Sequence, residues 1–337
     1  MVRRFLAAVI IVAVAAALLV AAWPQVFGLA RSPVVAQVVS LRGLAAAVAL
    51  VLAVALTLAA LISGVVRRFA ASLAIALLVF AAVSVAVLFS RGFGNVGFES
   101  ATDNDVTVLS WNTLGDAPGP ETIADLALDT GAEIITLPET TYDTGLEIAT
   151  LMNAAGKPMW IYTVPYDQIS KARSTTLLIS AELGEYNVDE GARTTSVLPS
   201  VVATPQDGTG PTIIAVHAVA PIPGEMENWR DDLQWLKAAC ADSNVIMAGD
   251  FNSTLDHYSG LSTADGSTIG QCADAALATD NAAVGTWPAS IPALLGAPID
   301  HVMTTPNWRV TGMRVVESHD KFGSDHRPIL VQLTPAD

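Results

Sequence analysis

Acidic side chains are absent from the first 98 residues of this 337-residue chain; the first is Glu99. The only charged side chains before it are seven arginines, and between them lie three apolar runs, residues 5–22, 43–64 and 69–90. Each run is near the roughly 20 residues that a helix needs to cross about 30 Å of hydrocarbon. The sequence therefore predicts a membrane anchor over residues 1–91 with three transmembrane helices.

A cleaved signal peptide followed by buried core helices is the alternative for this segment. Met1 to Arg4 resembles the basic start of a signal peptide. However, two further runs of spanning length follow it, and neither is broken by a polar face. The composition favours three spans.

The arginines also indicate an orientation. Arg3 and Arg4 lie on the same side of the membrane as Arg67 and Arg68, which follow after two crossings. The opposite side has three arginines, spread more thinly. Because cytoplasmic loops are enriched in basic residues, the N-terminus is predicted to be cytoplasmic. The protein is then a multi-pass protein of the cell membrane, and everything after the third helix lies outside the cytoplasm.

Basic residues are scarce in the rest of the chain. From Glu99 onward there are 32 acidic and ten basic residues, a formal charge of −22. Duplex binding depends on Lys and Arg neutralising phosphates, so a nucleic acid is an unfavourable partner. Lys171 and Arg173 are the nearest thing to a basic cluster. Cysteine is nearly absent too: Cys240 and Cys272 are the only two, and both a disulfide and two reduced buried thiols remain open.

After a polar linker at residues 92–104, runs typical of strands and helices alternate through a domain at 105–337. The predicted strands are residues 106–111, 133–137, 160–164, 175–180, 196–204, 212–219, 244–248, 299–303, 308–316 and 328–333. Predicted helices cover 121–131, 146–155 and 225–241. This pattern predicts an α/β domain with mixed sheets.

Residues able to bind a metal or transfer protons follow the apolar runs. One such residue after a strand is usually a turn former, but a whole set of them at five or six strand ends indicates a site. The set comprises Asn112, Glu139, His217, Asp250, Asn252, Asp300, Asp325 and His326. His257 and His319, by contrast, lie in polar loops and are expected to be solvated.

Six short motifs around these residues resemble the endonuclease/exonuclease/phosphatase (DNase I-like) superfamily, and they occur in that family's order. They are Ser110-Trp111-Asn112-Thr113, Leu137-Pro138-Glu139, Val216-His217, Gly249-Asp250-Phe251-Asn252-Ser253, Ile299-Asp300-His301 and Gly323-Ser324-Asp325-His326-Arg327-Pro328. The resemblance covers about residues 105–335 and implies a four-layer α/β sandwich. With its three-helix anchor, the layout is also similar to VanJ-like membrane phosphatases linked to teicoplanin resistance.

The resemblance implies a metal site. Glu139 with Asn112 would hold Mg²⁺, with Mn²⁺ as an alternative, and Asp325 would assist. Several nucleases of this superfamily have a second acidic residue close behind the first-strand Asn, where this chain has Leu114 and Gly115. One metal or two therefore stays open.

The catalytic roles are also implied by the resemblance. Asp250 would activate the attacking water and Asn252 would orient it or a phosphate oxygen. His217 and His326 would stabilise charge on the phosphoryl group, and Asp300 would orient and charge His217.

The expected function is hydrolysis of a phosphate ester or pyrophosphate, in a lipid or a small molecule, at the outer membrane face. Tethering near the bilayer favours a lipid substrate. An extracytoplasmic nuclease and a non-catalytic receptor or scaffold of the same fold are the alternatives; the acidic composition opposes the first, and the complete set of site residues opposes the second.

Overall fold

The structure is a computed structural model that describes residues 1–94, 97–165, 174–189, 191–241 and 244–336. Lys171 and Arg173 lie outside these ranges. The helices within them are α1 (Val2–Ala22), α2 (Val35–Ser40), α3 (Arg42–Ile62), α4 (Arg67–Arg91), α5 (Pro120–Thr130), α6 (Tyr142–Ala154), α7 (Met226–Ala239) and α8 (Ala275–Ala278).

The strands follow the polar segment after α4. They are β1 (Val106–Ser110), β2 (Ile134–Pro138), β3 (Met159–Pro165), β4 (Ser174–Ser180), β5 (Tyr186–Val188), β6 (Val201–Pro205), β7 (Thr212–His217), β8 (Val245–Asp250), β9 (Ala273–Asp274), β10 (Asp300–Thr304), β11 (Trp308–Val315) and β12 (Ile329–Pro335). The predicted strand at 196–204 begins only at Val201, because Pro199 cannot donate to a strand ladder. The short elements α2, α8, β5 and β9 were not predicted.

Three of the helices, α1, α3 and α4, are long and apolar enough to cross a membrane. Their side chains are mostly exposed, which suits a hydrocarbon surrounding. Small side chains let them approach: Ala22, Ala49 and Ala81 are buried with Phe80 where the three helices meet. The predicted spans agree with these helices to within a few residues at each end.

The strands form two six-stranded sheets. The first has the order β11-β12-β1-β2-β4-β3 and the second β5-β6-β7-β8-β10-β9. In each sheet one central pair is parallel, β1 with β2 and β7 with β8, and the other ladders are antiparallel. The expectation of mixed sheets is confirmed.

The two sheets pack face to face, and helices cover their outer faces. Side chains such as Val108 of β1 and Ile213 of β7 fill the core between the sheets. Ile123 of α5 is buried against the outer face of the first sheet, and Trp229 of α7 against that of the second. This four-layer α/β sandwich is the predicted fold. Its central parallel pairs end on the same edge of the molecule, which places the polar residues behind β1, β2, β7 and β8 together.

Cys240, at the end of α7, forms a disulfide with Cys272, just before β9. Their Cα atoms are 5.8 Å apart, a normal distance for such a bond. Of the two states left open by the sequence, the structure has the oxidised one.

The segment between α1 and α3 packs on the α/β domain. Ala36 of α2 is fully buried in the cluster formed by the second sheet and α7. His257 donates from Nε2 to the Ala36 carbonyl (3.1 Å) and accepts at Nδ1 from the Thr254 amide (2.8 Å). The expectation that His257 is solvated is therefore wrong: the anchor covers its loop.

A single buried carboxylate joins this loop to the ends of the three long apolar helices. Arg42 is the first residue of α3 and Arg91 is the last residue of α4. Asp256 accepts one hydrogen bond from Arg42 Nη2 (2.7 Å) and one from Arg91 Nη1 (2.9 Å). Gln25, just after α1, donates to it as well (2.7 Å). Burial alone would raise the pKa of Asp256, but the charges and hydrogen bonds of Arg91 and Arg42 hold it well below its ordinary value. Asp256 is therefore ionised and bonded to all three helix ends.

Close backbone packing accompanies this ion pair. A Cβ placed on Gly43, in the first turn of α3, would lie 2.0 Å from the Leu294 carbonyl oxygen of the domain. The predicted linker also bonds to the domain through its backbone. The Gly94 amide donates to the Asp280 carbonyl (2.8 Å), and the Glu99 amide donates to the Thr311 carbonyl (2.8 Å). The predicted linker thus contacts the domain on both sides of residues 95–96. The division into anchor, linker and domain at 91 and 105 stays a prediction.

Replacing Asp256 with Asn is expected to loosen the anchor from the domain. Two arginines would stay buried with no opposing charge, which costs about 3 kcal/mol or more. We expect faster hydrogen exchange in residues 24–41 and a lower melting temperature in detergent. Glu182→Gln is the matched control, because the Glu182–Lys157 pair is exposed. Equal exchange in the two variants would contradict the role assigned to Asp256.

Candidate active site

The predicted site residues converge where the parallel strand pairs end. Six of them line one cavity of 520 Å³, namely Glu139, His217, Asp250, Asn252, Asp325 and His326. The other two, Asn112 and Asp300, lie directly behind and are bonded to members of the first group. The structure thus brings together all eight residues from two sheets.

The backbone at this edge is under local constraint. A Cβ on Gly249 would lie 2.0 Å from the Val216 carbonyl oxygen, so only glycine lets β8 lie this close to β7 before Asp250. Glu139 (φ 60°) and Asn252 (φ 46°) adopt left-handed conformations that are uncommon outside glycine. Strained backbone of this kind is concentrated at functional sites.

Asp250 is buried and held by three donors. They are the Asn252 amide (2.8 Å), Asn252 Nδ2 (3.1 Å) and Asn112 Nδ2 (3.1 Å). Burial raises the pKa of Asp250 to about 7, against the charge of His326, which lowers it. A carboxylate held in this way is suited to exchange a proton with a substrate water near neutral pH.

Asp300 pairs with His326, which corrects the expectation that it orients His217. His326 Nδ1 lies 2.9 Å from Asp300 Oδ2. The strand order explains this: β10 adjoins β8, and β8 separates it from β7, so His217 is two strand spacings, about 10 Å, from Asp300. His326 instead reaches the site from the loop before β12 in the other sheet.

His326 and His217 differ in charge. Burial alone would lower the pKa of His326, but the charges of Asp300 and Asp250 raise it to about 10, so His326 is cationic. Burial, together with the charge of His326, lowers the pKa of His217 to about 3, so it is neutral. His217 Nδ1 lies 3.2 Å from Thr175 Oγ1, and its Nε2 is 4.0 Å from Glu139.

Asn112 connects the two carboxylates on either side of it. Its Nδ2 donates to Glu139 Oε1 (3.1 Å) as well as to Asp250, and its Oδ1 accepts from the Leu114 amide (3.0 Å). In this arrangement the amide nitrogen of Asn112, and not its oxygen, faces the carboxylates. Metal ligation by Asn112 stays a prediction.

The residues present fit a divalent cation. One ligand atom each of Asp250, Asp300 and His326 lies within 4.8 Å of the others, a spacing that suits a metal ion. Because His326 is protonated beside Asp300, the ligand atoms that remain for a cation are carboxylate oxygens. Asp300 Oδ1 and Asp325 Oδ1 are buried without a hydrogen-bond partner among the described residues. Burial raises the pKa of Glu139 by more than the Asn112 hydrogen bond and the charge of His326 lower it. Carboxylate oxygens in this number suit a hard cation such as Mg²⁺.

Several neighbours of the site were not predicted. Trp287 Nε1 donates to Asp325 Oδ2 (2.9 Å), and Ser324 Oγ donates to the Asn112 carbonyl (2.6 Å) while accepting from the His326 amide (3.0 Å). Ser324 lies in the motif Gly323–Pro328, two residues before His326, and its place in that motif could have indicated a role beside the site. Gln37 of α2 carries no local signal and lines the cavity only because α2 docks on the domain.

Comparison with known proteins identifies the relatives of this arrangement. The model of the Endonuclease/Exonuclease/phosphatase family matches residues 109–326. A comparison with curated proteins found no match. The VanJ-like resemblance stays a prediction.

Solved structures share the fold. An endonuclease/exonuclease/phosphatase from Beutenbergia cavernae DSM 12333 is 18% identical and has a TM-score of 0.50 over 69% of this chain and 72% of its own. A family protein from Leptotrichia buccalis C-1013-b is 13% identical, with a TM-score of 0.52 over 68% and 99%. D. rerio TDP2, solved with a single-strand DNA product, is 16% identical, with a TM-score of 0.50 over 69% and 100%. At these identities the likeness is one of fold.

Asp300 and His301 are neighbours on β10, and each forms an Asp–His pair. The two pairs allow a matched test of the role assigned to Asp300 and His326. Asp300 holds His326 inside the site, whereas Asp274 holds His301 (2.6 Å) on the opposite face of the strand. Asp300→Asn is expected to lower kcat about a hundredfold or more, because His326 loses its charge and orientation. Asp274→Asn should lower the melting temperature and leave kcat nearly unchanged. Equal losses of kcat would contradict the assignment.

Metal binding is testable without a substrate. Added Mg²⁺ or Mn²⁺ should raise the melting temperature of protein treated with EDTA. At a metal concentration one hundred times Kd, binding stabilises the folded protein by about 2.7 kcal/mol. Glu139→Gln should abolish most of this shift, while Glu147→Gln, at an exposed position on α6, should not. A shift that survives in Glu139→Gln would place the ion elsewhere.

Proposed function

The chain belongs to the Endonuclease/Exonuclease/phosphatase family, and on that premise we propose that it is a membrane-anchored, Mg²⁺-dependent phosphoesterase. Its substrate is a phosphorylated lipid, cleaved at a phosphate ester or pyrophosphate bond on the outer face of the cell membrane. Members of the family are generally hydrolases of phosphodiester or phosphate ester bonds, so the reaction class comes from the family. The substrate class has to be argued from this chain.

The observation that carries the proposal is the position of the catalytic cavity. One wall consists of Gln37, Ser40 and Leu41, which belong to the segment between the first two candidate membrane spans. On this proposal the cavity opens at the level of the lipid head groups, because it shares a wall with the anchor. A phosphate on a membrane lipid reaches such a cavity without leaving the bilayer.

Glu139 and Asp325 would hold the cation, which supplies charge neutralisation to the phosphoryl group when bound. Asp250 accepts a proton from the attacking water, and the donors on Asp250 keep its carboxylate oriented toward the cavity. His326, cationic and held by Asp300, stabilises negative charge on the phosphoryl oxygens. His217, which is neutral, provides a second hydrogen-bond donor to the same group.

Two features support a position outside the cytoplasm. The arginine distribution favours a cytoplasmic N-terminus, and three crossings then place the domain on the other side. The Cys240–Cys272 disulfide suits an oxidising compartment. Both fit a substrate in the outer leaflet.

The cavity is a poor match for nucleic acid. No Lys or Arg is among the described residues that line it, and several of those that do are apolar, among them Leu114, Val219, Pro221 and Ile222. Phosphate contacts from basic side chains supply most of the affinity for DNA. The single-strand DNA product in the D. rerio TDP2 structure is a ligand of that protein.

Phosphate release by the full-length protein in detergent with Mg²⁺ tests the proposal. Undecaprenyl pyrophosphate, a phospholipid and plasmid DNA are offered side by side at the same protein concentration. We expect release from a lipid phosphate and at least a hundredfold loss in Asp250→Asn and Glu139→Gln. Glu147→Gln serves as the unaffected control.

Two results would contradict the proposal. Cleavage of DNA with no lipid hydrolysed would establish the nuclease alternative. Metal binding with no hydrolysis of any substrate would favour a receptor or scaffold.

A further inference from the structure

A second cavity lies between the membrane helices, next to the catalytic one. It has a volume of 620 Å³, and every described residue that lines it is Ala, Val, Leu or Phe. Alanines on α1 and α3, such as Ala17 and Ala49, leave the space, and Phe80 of α4 closes its back. A cavity lined in this way accepts hydrocarbon and excludes polar groups.

This cavity occupies the half of the anchor nearer the domain. On α3 its lining extends from Ala45 to Leu52, and α3 begins at Arg42 beside the domain. At 1.5 Å per residue the cavity reaches about 15 Å from that end. This depth corresponds to about one leaflet of a bilayer whose hydrocarbon core is about 30 Å thick.

The short helix α2 separates the two cavities and contributes to both. Gln37 and Ser40 line the catalytic cavity, whereas Val35 and Val38 line the cavity in the anchor. The separation is therefore about one helix diameter, roughly 10 Å.

The start of α3 also carries lining residues of both cavities. Leu41 lines the catalytic cavity, and Ala45, one turn further on, lines the membrane cavity. The Ala45 amide donates to the Leu41 carbonyl (2.8 Å), so one turn of chain separates the two linings at this point. Pro221 and Ile222 are further apolar residues of the catalytic cavity.

We propose that the membrane cavity binds the hydrocarbon chain of the substrate lipid while its phosphate lies among Glu139, His217 and His326. The substrate passes over α2, so this helix of the anchor is part of the substrate-binding site. The proposal rests on the proposed function and specifies it further: the enzyme recognises a long apolar chain together with a phosphate. Gln37 is placed to contact the polar link between them; its Oε1 is buried without a partner among the described residues.

Two matched substitutions on α3 test the chain site. Val48 lines the cavity and is 49% exposed, whereas Val51 lies three residues further on, is 70% exposed and is not among the lining residues. Val48→Trp should fill the cavity without disturbing the helix packing, and Val51→Trp should place the same ring in lipid. The substrates are undecaprenyl pyrophosphate and the short-chain geranyl pyrophosphate in one detergent.

Val48→Trp is expected to lower kcat/KM for the long-chain substrate about tenfold, since losing contact with about two methylene groups suffices. Its kcat/KM for geranyl pyrophosphate should stay within about twofold of the wild type. Val51→Trp should leave both values unchanged. Equal long-chain activity in the two variants would overturn the chain site, even with the proposed function intact.

A binding measurement decides the same question without hydrolysis. EDTA-treated protein is photolabelled with a polyprenyl phosphate that carries a diazirine on its chain, and the labelled residues are mapped by mass spectrometry. We expect labels on residues 16–21 and 45–52 that decrease in Val48→Trp and not in Val51→Trp. A probe with the same chain ending in an alcohol should label these residues less. Equal labelling by both probes would show that bulk lipid fills the cavity, and would overturn the proposal.

Discussion

The buried carboxylate of Asp256 determines how the α/β domain is held against the three long apolar helices. It accepts hydrogen bonds from residues at the ends of α1, α3 and α4, and a buried charge of this kind is tolerated only while its partners remain in place. Asp256 follows β8 by six residues, so the strand that presents Asp250 and the helices α1, α3 and α4 are fixed to one another. The position of α2 against the catalytic cavity follows from that connection.

A second constraint operates inside the site, where carboxylates from both sheets are buried close together. Glu139, Asp250, Asp300 and Asp325 lie around one cationic histidine, and their charge exceeds what His326 neutralises. Such an arrangement is costly without a cation and stable with one. The strain stored at Glu139 and Asn252 is consistent with a site whose geometry is determined by its chemistry.

Much of this arrangement was predictable because each site residue directly follows an apolar run, and the sequence order of the motifs is that of the family. The four-layer sandwich followed from the same resemblance. The partner of Asp300 was not predictable, because it depends on β8 lying between β7 and β10, a fact of strand order that local sequence does not encode. The burial of His257 and the contribution of Gln37 to the cavity depend on contacts between residues about 180 to 230 positions apart, and nothing in the loops around them indicates those contacts.

In the proposed function, the membrane anchor is also part of the substrate-binding site. The most direct test is a cryo-electron microscopy structure of the Asp250→Asn variant in lipid nanodiscs with Mn²⁺ and undecaprenyl pyrophosphate. The account predicts the phosphate beside Glu139 and His326, with density for the chain passing α2 into the cavity between α1, α3 and α4. A domain turned so that its cavity faces away from the bilayer, or a chain bound elsewhere, would contradict it.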